Sequence, residues 1–213
     1  MAMFDDKVRG QLAEILKAMK EKVNLVYFTQ EMECHTCSDT HQFLTELSEL
    51  NDRLNLTAFD FVKDSEKASY YGVDKIPGIV LLDAADSDTG IRFFGLPGGY
   101  EINSFLRSIL EVSGVREPLN DAVLARIKAI SKKTHIQVFI SLTCPYCPAA
   151  VSAAHRIALE NPAIRADMVE TSTFIQEAVK FNVSSVPKVI INGTVEFTGA
   201  QPIEKFVEYL EKS

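Results

Sequence analysis

Two Cys-x-x-Cys motifs, 110 residues apart, constrain the fold of this chain more than any other feature. The segments Cys34-His35-Thr36-Cys37 and Cys144-Pro145-Tyr146-Cys147 contain all four cysteines of the 213 residues. Each motif lies between a short apolar run and a helical pattern, which is the layout of a dithiol redox site. Pro77 and Pro187 keep the same spacing, so each proline follows the first cysteine of its motif by 43 residues.

The repeat extends through the rest of each half. Asp60 matches Glu170 at the same spacing of 110. The second hairpin loop is six residues shorter than the first, and Gly95 then matches Gly199 at a spacing of 104. Unrelated halves would rarely keep this register. We therefore interpret the chain as an internal duplication of a unit that is the size of a domain.

Each half repeats one order of predicted elements: helix, strand, Cys-x-x-Cys helix, strand, helix, X-Pro turn, hairpin and helix. The strand–helix–strand start favours parallel pairing, and the hairpin favours antiparallel pairing. Gly114 and Pro118 bracket a candidate linker over residues 112–118. The sequence predicts an α/β chain of two tandem domains, 1–114 and 115–213, each a mixed central sheet flanked by helices.

Hydrophobic periodicity gives approximate bounds for these elements. The dipeptide Asn192-Gly193 predicts a type I′ hairpin turn. The predicted elements that matter most below are strands over 23–29, 56–62 and 136–142 and helices over 5–22 and 119–132.

The start of a helix favours the chemistry that a Cys-x-x-Cys motif performs. Thiol–disulfide exchange needs a thiolate, and the unpaired N–H groups and positive dipole end of a helix stabilise one. Low thiol pKa values are therefore expected at these positions. We assign Cys34 and Cys144 as nucleophiles, and Cys37 and Cys147 as the residues that resolve a mixed disulfide.

The central dipeptides differ between the two motifs. His35 can carry a positive charge near neutral pH, which would favour a neighbouring thiolate. Pro145 holds its φ near the helical value and has no N–H to leave unpaired at a first-turn position. His35, Pro145 and Tyr146 are therefore the candidate residues that tune the two sites to different redox potentials.

Pro77 and Pro187 each precede a predicted strand. A cis bond there would leave the backbone of Ile76 or Val186 free to pair with an extended substrate segment. These four residues are the candidate substrate-binding positions. The alternative is a trans proline that only opens a strand.

Composition and charge exclude several classes of function. The net charge of −7 leaves no basic surface for general nucleic-acid binding. No apolar run approaches the length of about 18 residues that spans a membrane. The first residues lack a signal-peptide pattern, so we expect a cytoplasmic location. Structural disulfides are uncommon in that compartment, which favours catalytic or metal-binding cysteines.

The order of motifs resembles the thioredoxin fold, and Cys144-Pro145-Tyr146-Cys147 with Ser185-Val186-Pro187 is similar to glutaredoxins. Two such units in tandem resemble the protein disulfide oxidoreductases, or glutaredoxin-like proteins, of thermophilic archaea and bacteria. The tandem also resembles the N-terminal region of the flavoprotein component of alkyl hydroperoxide reductase. That region normally has one working Cys-x-x-Cys, whereas this chain has two and lacks the flavin domains.

The resemblance implies cis bonds before Pro77 and Pro187, protein disulfides as substrates and a monomer. It implies no cofactor within the chain, and electrons from an external flavoenzyme similar to thioredoxin reductase. A second interpretation is an electron shuttle to a peroxiredoxin. The Cys-Pro-Tyr-Cys motif further suggests that the C-terminal site performs most of the substrate exchange.

The chain departs from thioredoxins in one respect. Those proteins carry a buried Asp six residues before the first cysteine, and here Phe28 and Val138 occupy these positions. Another proton acceptor is therefore needed. The candidates in the sequence are Glu31, Glu33, Asp60 and Glu170, or solvent.

Two other interpretations of the cysteines compete with redox chemistry. Cys34, Cys37 and His41 could form a local zinc site, because Cys37 and His41 are one helical turn apart. However, a matched proline after each motif favours redox, so we predict no metal. The cysteines could also form purely structural disulfides, but closing a two-residue loop stabilises a fold only weakly.

Overall fold

The chain folds around one eight-stranded mixed sheet. The structure, a computed structural model, describes residues 2–213. The strands are β1 (Val23–Thr29), β2 (Leu54–Asp60), β3 (Gly78–Leu82), β4 (Asp88–Phe94), β5 (Thr134–Ile140), β6 (Ile164–Glu170), β7 (Lys188–Ile191) and β8 (Val195–Thr198). Their order across the sheet is β2-β1-β3-β4-β6-β5-β7-β8.

Eight α-helices and one short 3₁₀ helix over Gly99–Glu101 connect the strands within residues 2–213. The α-helices are α1 (Asp6–Leu16), α2 (Cys37–Ser48), α3 (Ser65–Tyr70), α4 (Ile102–Val112), α5 (Asp121–Lys128), α6 (Cys147–Glu160), α7 (Ile175–Lys180) and α8 (Ile203–Leu210). None of these helices, in the part of the chain that the structure describes, is long and apolar enough to cross a membrane.

The strand pairing confirms the duplication. β1 pairs with β2 in parallel and with β3 antiparallel, and β3 pairs with β4 antiparallel. In the second half β5, β6, β7 and β8 repeat these three pairings. The predicted parallel start and antiparallel hairpin are therefore present in each half, and the fold is thioredoxin-like in both.

The two halves meet in the middle of the sheet. β4 of the first half pairs in parallel with β6 of the second half, from Ile91 opposite Ala166 to Phe94 opposite Val169. This pairing makes one continuous sheet of the two sets of four strands. Elements of one half are thereby placed within reach of the site of the other half.

The two faces of the sheet are covered unequally. Side chains of alternate strand residues point to opposite faces, as strand geometry requires. One face packs against α1, α2, α4, α5, α6 and α8 and forms the larger apolar core. The other face is covered by a smaller apolar cluster, to which α3 contributes Ala68 and the segments flanking α3 and α7 contribute most of the remaining cover.

Several elements differ slightly from their predicted bounds. β1 has the predicted bounds, whereas β2 and β5 each begin and end two residues earlier than predicted. The helices predicted over 5–22 and 119–132 are shorter, because polar caps fix their ends. Asn120 accepts a hydrogen bond from Ala122 N at the start of α5, and Asn161 binds the carbonyl groups near the end of that helix.

Candidate active sites

Both Cys-x-x-Cys motifs lie where a central strand ends and a helix begins. Cys37 and Cys147 are the first residues of α2 and α6, and Cys34 and Cys144 lie in the preceding turns. Each pair forms a disulfide, with Cα–Cα distances of 5.4 Å and 5.6 Å. The structure therefore represents the oxidised form of both sites.

The two cysteines of each disulfide differ in their exposure to solvent. Cys37 and Cys147 are 2% and 0% exposed. Cys144 is 9% exposed, and Cys34 is half-buried. A partner molecule can therefore reach the first cysteine of each pair more easily than the second. The division into nucleophile and resolving residue remains a prediction.

The predicted cis bonds are present at both Ile76–Pro77 and Val186–Pro187. The Cys144 sulfur lies 3.8 Å from the carbonyl oxygen of Val186. The C-terminal proline loop, residues 183–187, therefore borders this disulfide directly. Pro77 and Pro187 are buried, whereas Ile76 and Val186 are half-buried. Their predicted contact with substrate remains a prediction.

The candidate tuning residues lie on the outside of the two sites. His35, Pro145 and Tyr146 are all exposed, Tyr146 to 71%. Pro145 does not occupy the first turn of α6 as predicted, because that helix begins at Cys147. Pro148 takes the first-turn position instead, where its missing N–H costs no hydrogen bond.

A cleft opens beside the N-terminal disulfide. Its lining includes both cysteines together with Glu31, His41, Asp60 and Lys63. Asp60 accepts hydrogen bonds from Lys63 N at 2.8 Å and Val62 N at 3.1 Å. The Lys63 backbone contact is the main reason why the pKa of Asp60 lies below its usual range. Asp60 is therefore a carboxylate in the cleft that contains Cys34.

The other candidate proton acceptors are placed less favourably. Glu31 and Glu33 are exposed at the rim of the N-terminal site. Glu170 is 2% exposed, and its carboxylate accepts hydrogen bonds from Ser172 N at 3.0 Å and Thr173 N at 2.7 Å. The carboxylate of Glu170 is thus bound by the turn that follows β6, which it stabilises.

Glu101 is a titratable residue near the C-terminal site that the sequence did not suggest. It is fully buried, and its Oε1 has no hydrogen-bond partner among residues 2–213. Ser104 Oγ donates to its Oε2. Burial raises the pKa of Glu101 to about 7, because desolvation disfavours the carboxylate.

The surroundings of Glu101 connect it to the second disulfide. The N–H of the adjacent Tyr100 donates to the carbonyl of Leu142 at 3.0 Å, two residues before Cys144. The 3₁₀ helix that carries Glu101 also packs against α6, which begins at Cys147. An ordinary glutamate beside a helix start gives no sequence signal of burial, so only the tertiary contact reveals this residue.

The described residues offer no metal site at the cysteines. Within residues 2–213, no group of three or more His, Cys, Asp or Glu side chains is placed to hold a metal ion. His41 shares the cleft with Cys34 and Cys37, but both sulfurs are committed to a disulfide. The arrangement can exchange disulfides, and both pairs are in the state that accepts electrons.

Known proteins share this fold over nearly the whole chain. A family model described as a thioredoxin domain matches residues 134–212. The structure is similar to the N-terminal domain of the alkylhydroperoxide reductase AhpF from Enterococcus faecalis, with a TM-score of 0.91 and 34% identity over 97% of this chain and 99% of that one. It is also similar to a protein disulfide oxidoreductase from Aeropyrum pernix, with a TM-score of 0.90 and 31% identity over 97% and 92%.

Curated sequences point to the same relatives. The alkyl hydroperoxide reductase AhpF of Staphylococcus aureus strain Mu50 is 29% identical over 208 residues, which is 98% of this chain. The chain spans 38% of the length of that protein. It belongs to the family of tandem thioredoxin-fold redox proteins that includes the Enterococcus faecalis domain and the Aeropyrum pernix protein disulfide oxidoreductase.

Proposed function

We propose that the chain is a dithiol–disulfide oxidoreductase that reduces, oxidises or isomerises disulfides of other proteins. One observation carries the proposal. In each half, the first cysteine of a disulfide at the start of a helix is more exposed than the second, with a cis-proline turn in the same half. This arrangement suits attack on a substrate followed by internal resolution.

The reaction conserves two electrons and two protons. In the reduced protein, the thiolate of Cys34 or Cys144 attacks a substrate disulfide, forms a mixed disulfide and releases one substrate thiolate. Cys37 or Cys147 loses its proton, attacks the mixed disulfide and releases the second substrate thiolate. The substrate ends as a dithiol after taking up two protons, one from the resolving thiol and one from the solvent that received the proton of the first thiol when it ionised. The protein ends in the oxidised form that the structure shows.

The resolving step needs a group that accepts the proton of the second thiol. At the C-terminal site we assign this role to Glu101, because its 3₁₀ helix packs against α6 and bonds the turn before Cys144, its Oε1 has no hydrogen-bond partner among residues 2–213, and its pKa of about 7 suits proton transfer near neutral pH. At the N-terminal site Asp60 lies in the same cleft as both cysteines. The half-buried backbone of Ile76 and Val186 would align an extended substrate segment beside each disulfide.

Electrons would come from a flavoenzyme similar to thioredoxin reductase, and the reducing cytoplasm is the compartment that suits this chemistry. Support for a flavin partner comes from the similarity to AhpF. Support for the compartment comes from the cysteines, since all four belong to the two candidate active sites.

Insulin reduction by dithiothreitol tests the proposal. The chain is expected to accelerate insulin precipitation, and the variant with all four cysteines replaced by serine is the matched control. If the C-terminal site performs most of the exchange, Cys144→Ser lowers the rate more than Cys34→Ser. Equal losses would reject that preference. A rate no higher than dithiothreitol alone, with stoichiometric zinc in the purified protein, would favour a zinc module instead.

A second candidate is an electron shuttle from a flavin disulfide reductase to a peroxiredoxin. The similarity to AhpF over 98% of this chain favours it. The reduced chain, freed of dithiothreitol, should then re-reduce a bacterial peroxiredoxin disulfide much faster than it reduces insulin. Comparable or slower reduction of the peroxiredoxin would leave the general oxidoreductase as the better description.

A further inference from the structure

The turn that ends the short helix before each proline loop has the same form in both halves. In the first half, Gly72 has a φ of 64° and Val73 N donates to the carbonyl of Ala68 at 2.7 Å. In the second half, Asn182 has a φ of 51° and Val183 N donates to Ala178 at 2.9 Å. Each turn leaves two carbonyl groups that need donors, and each lies four residues before the residue that forms the cis bond.

In the C-terminal half, a single lysine of the same half satisfies these carbonyl groups. Lys188 is the first residue of β7 and is 7% exposed. Its Nζ donates to the carbonyl of Phe181 at 2.9 Å and to that of Asn182 at 3.3 Å. The C-terminal proline loop is therefore held by its own domain.

The N-terminal half cannot use this solution, because Gly78 occupies the position that corresponds to Lys188. A side chain has no room there: a Cβ at Gly78 would lie 3.0 Å from the carbonyl oxygen of Lys75 and 3.0 Å from Val73 Cγ1. The two carbonyl groups bind arginines instead. Arg92 of β4 donates to Tyr71 O at 2.8 Å and 3.1 Å, and Arg165 donates to Gly72 O at 2.6 Å.

Arg165 belongs to β6 and thus to the other half of the molecule. Its Nε and Nη2 form a two-point ion pair with Asp167, at 2.7 Å and 2.6 Å. Asp167 is fully buried and is contacted by His135 Nε2 at 2.6 Å. A planar guanidinium bound at two points has little freedom, so its third contact, to Gly72, is held in place.

A lysine of the proline loop and the same arginine both lie near one aromatic ring. The ring of Phe94 lies 4.1 Å from Lys75 Nζ, in the loop, and 5.9 Å from Arg165 Cζ. The loop between Gly72 and Pro77 is therefore bordered by Arg165 at its start and by a shared aromatic ring near its end.

We propose that Arg165 is a positioning residue for the N-terminal site, so that the proline loop of the Cys34–Cys37 disulfide is complete only when the second half is docked against the first. This inference rests on the proposed disulfide exchange. The two sites then differ in which half of the molecule holds the proline loop, because the C-terminal proline loop depends on Lys188 of its own half.

Hydrogen–deuterium exchange measures the loop without requiring activity. In Arg165→Met, the amide of Val73, which donates to Ala68 O, should exchange at least about tenfold faster, whereas the matching amide of Val183 should be unchanged. Lys188→Met is the matched control and should show the opposite pattern. Unchanged exchange at Val73, or equal increases at Val73 and Val183, would overturn the proposal.

Kinetics with one site at a time gives a second readout. One parent carries Cys144→Ser and Cys147→Ser, and the other carries Cys34→Ser and Cys37→Ser. In the first parent, Arg165→Met should raise KM for insulin by on the order of tenfold, since a displaced loop misaligns the substrate. Arg165→Lys should recover part of this loss, and the second parent should be unaffected. Equal changes in both parents would contradict the inference.

A folding control keeps both experiments interpretable. Arg165→Met leaves Asp167 buried without its main partner, which is a costly arrangement. The double variant Arg165→Met/Asp167→Leu removes both charges and should show the same faster exchange at the amide of Val73. If neither parent reduces insulin above background, the proposed function fails, while the exchange data still decide the role of Arg165.

Discussion

At the scale of single residues, the buried carboxylic acid of Glu101 links the stability of the protein to its proposed chemistry. A carboxyl group without a partner for one oxygen resists ionisation, and its pKa rises to about 7. The same burial makes Glu101 costly once it ionises. A buried group whose raised pKa suits proton transfer but lowers the stability of the fold is typical of functional sites.

Glu101→Gln is expected to stabilise the protein at alkaline pH. Between the ordinary pKa of 4.5 and the raised pKa of about 7, the unfolded chain releases a proton that the folded chain retains. Stability therefore falls as pH rises through this range, by up to about 3 kcal/mol. Glu101→Gln has no carboxyl group to ionise, so its free energy of unfolding does not fall in this way. Urea unfolding should show a gain of about 1–3 kcal/mol at pH 8 and a smaller gain at pH 5. Equal gains at both values would contradict the raised pKa.

Glu101→Gln should also slow the C-terminal site. With Cys34 and Cys37 replaced by serine, insulin reduction should fall by about tenfold or more. Its pH dependence near 7 should be lost. Glu170→Gln serves as the control, because that carboxylate binds its own turn and should leave the pH profile unchanged. A profile that still titrates near pH 7 in Glu101→Gln would assign the proton transfer to another group.

At the scale of elements, a matched pair of asparagines ties the helices of the larger core to the strands. Asn161 Nδ2 donates to the carbonyls of Ile127 at 2.6 Å and Ile130 at 2.8 Å, which fixes the end of α5 beside β6. Asn51, at the repeat spacing of 110, donates to Leu16 at 2.8 Å at the end of α1. The duplication thus extends to the residues that join elements.

The two asparagines should differ in their contribution to stability. Asn161 is 5% exposed and serves two carbonyl groups, whereas Asn51 is half-buried and serves one. Asn161→Ala should cost about 2 kcal/mol, since it removes two side-chain hydrogen bonds at a buried position, and Asn51→Ala, which removes one, should cost about 1 kcal/mol. Urea unfolding of both variants measures the difference. A larger loss from Asn51→Ala would contradict this account of burial.

Much of the architecture follows from local patterns, because strands and helices of a duplicated unit leave the same periodicity twice. The bounds of β1, the hairpin at Asn192 and the two cis prolines agree with the sequence prediction. The pairing of β4 with β6 was not predictable, since a parallel contact between halves leaves no local signal. The residues that this contact brings to the sites, Glu101 and Arg165, were missed for the same reason.

At the scale of the whole molecule, polar side chains fill part of the boundary between the two halves. His155 of α6 is 1% exposed and lies between Ser108 of α4 and the backbone of β4. Its Nδ1 is 3.1 Å from Ser108 Oγ, and its Nε2 is 3.2 Å from Arg92 O. The ring also makes an edge contact with Phe93, with the centroids 4.6 Å apart. A neutral imidazole therefore connects the halves.

Acid should weaken this boundary, because burial lowers the pKa of His155 to about 3. Below its ordinary pKa of 6.5 the unfolded chain gains a proton that the folded chain cannot accept, so stability falls with falling pH. At pH 4.5 this loss amounts to about 3 kcal/mol relative to pH 8. His155→Gln keeps a donor and an acceptor but does not titrate, so urea unfolding should show its stability, relative to that of the unmodified chain, rising by about 3 kcal/mol from pH 8 to pH 4.5, because the Glu101 contribution is common to both. The exposed His41→Gln is the control and should show no such relative rise. If His155→Gln and the unmodified chain lose the same stability, the histidine is already charged in the folded protein, and the boundary tolerates that charge.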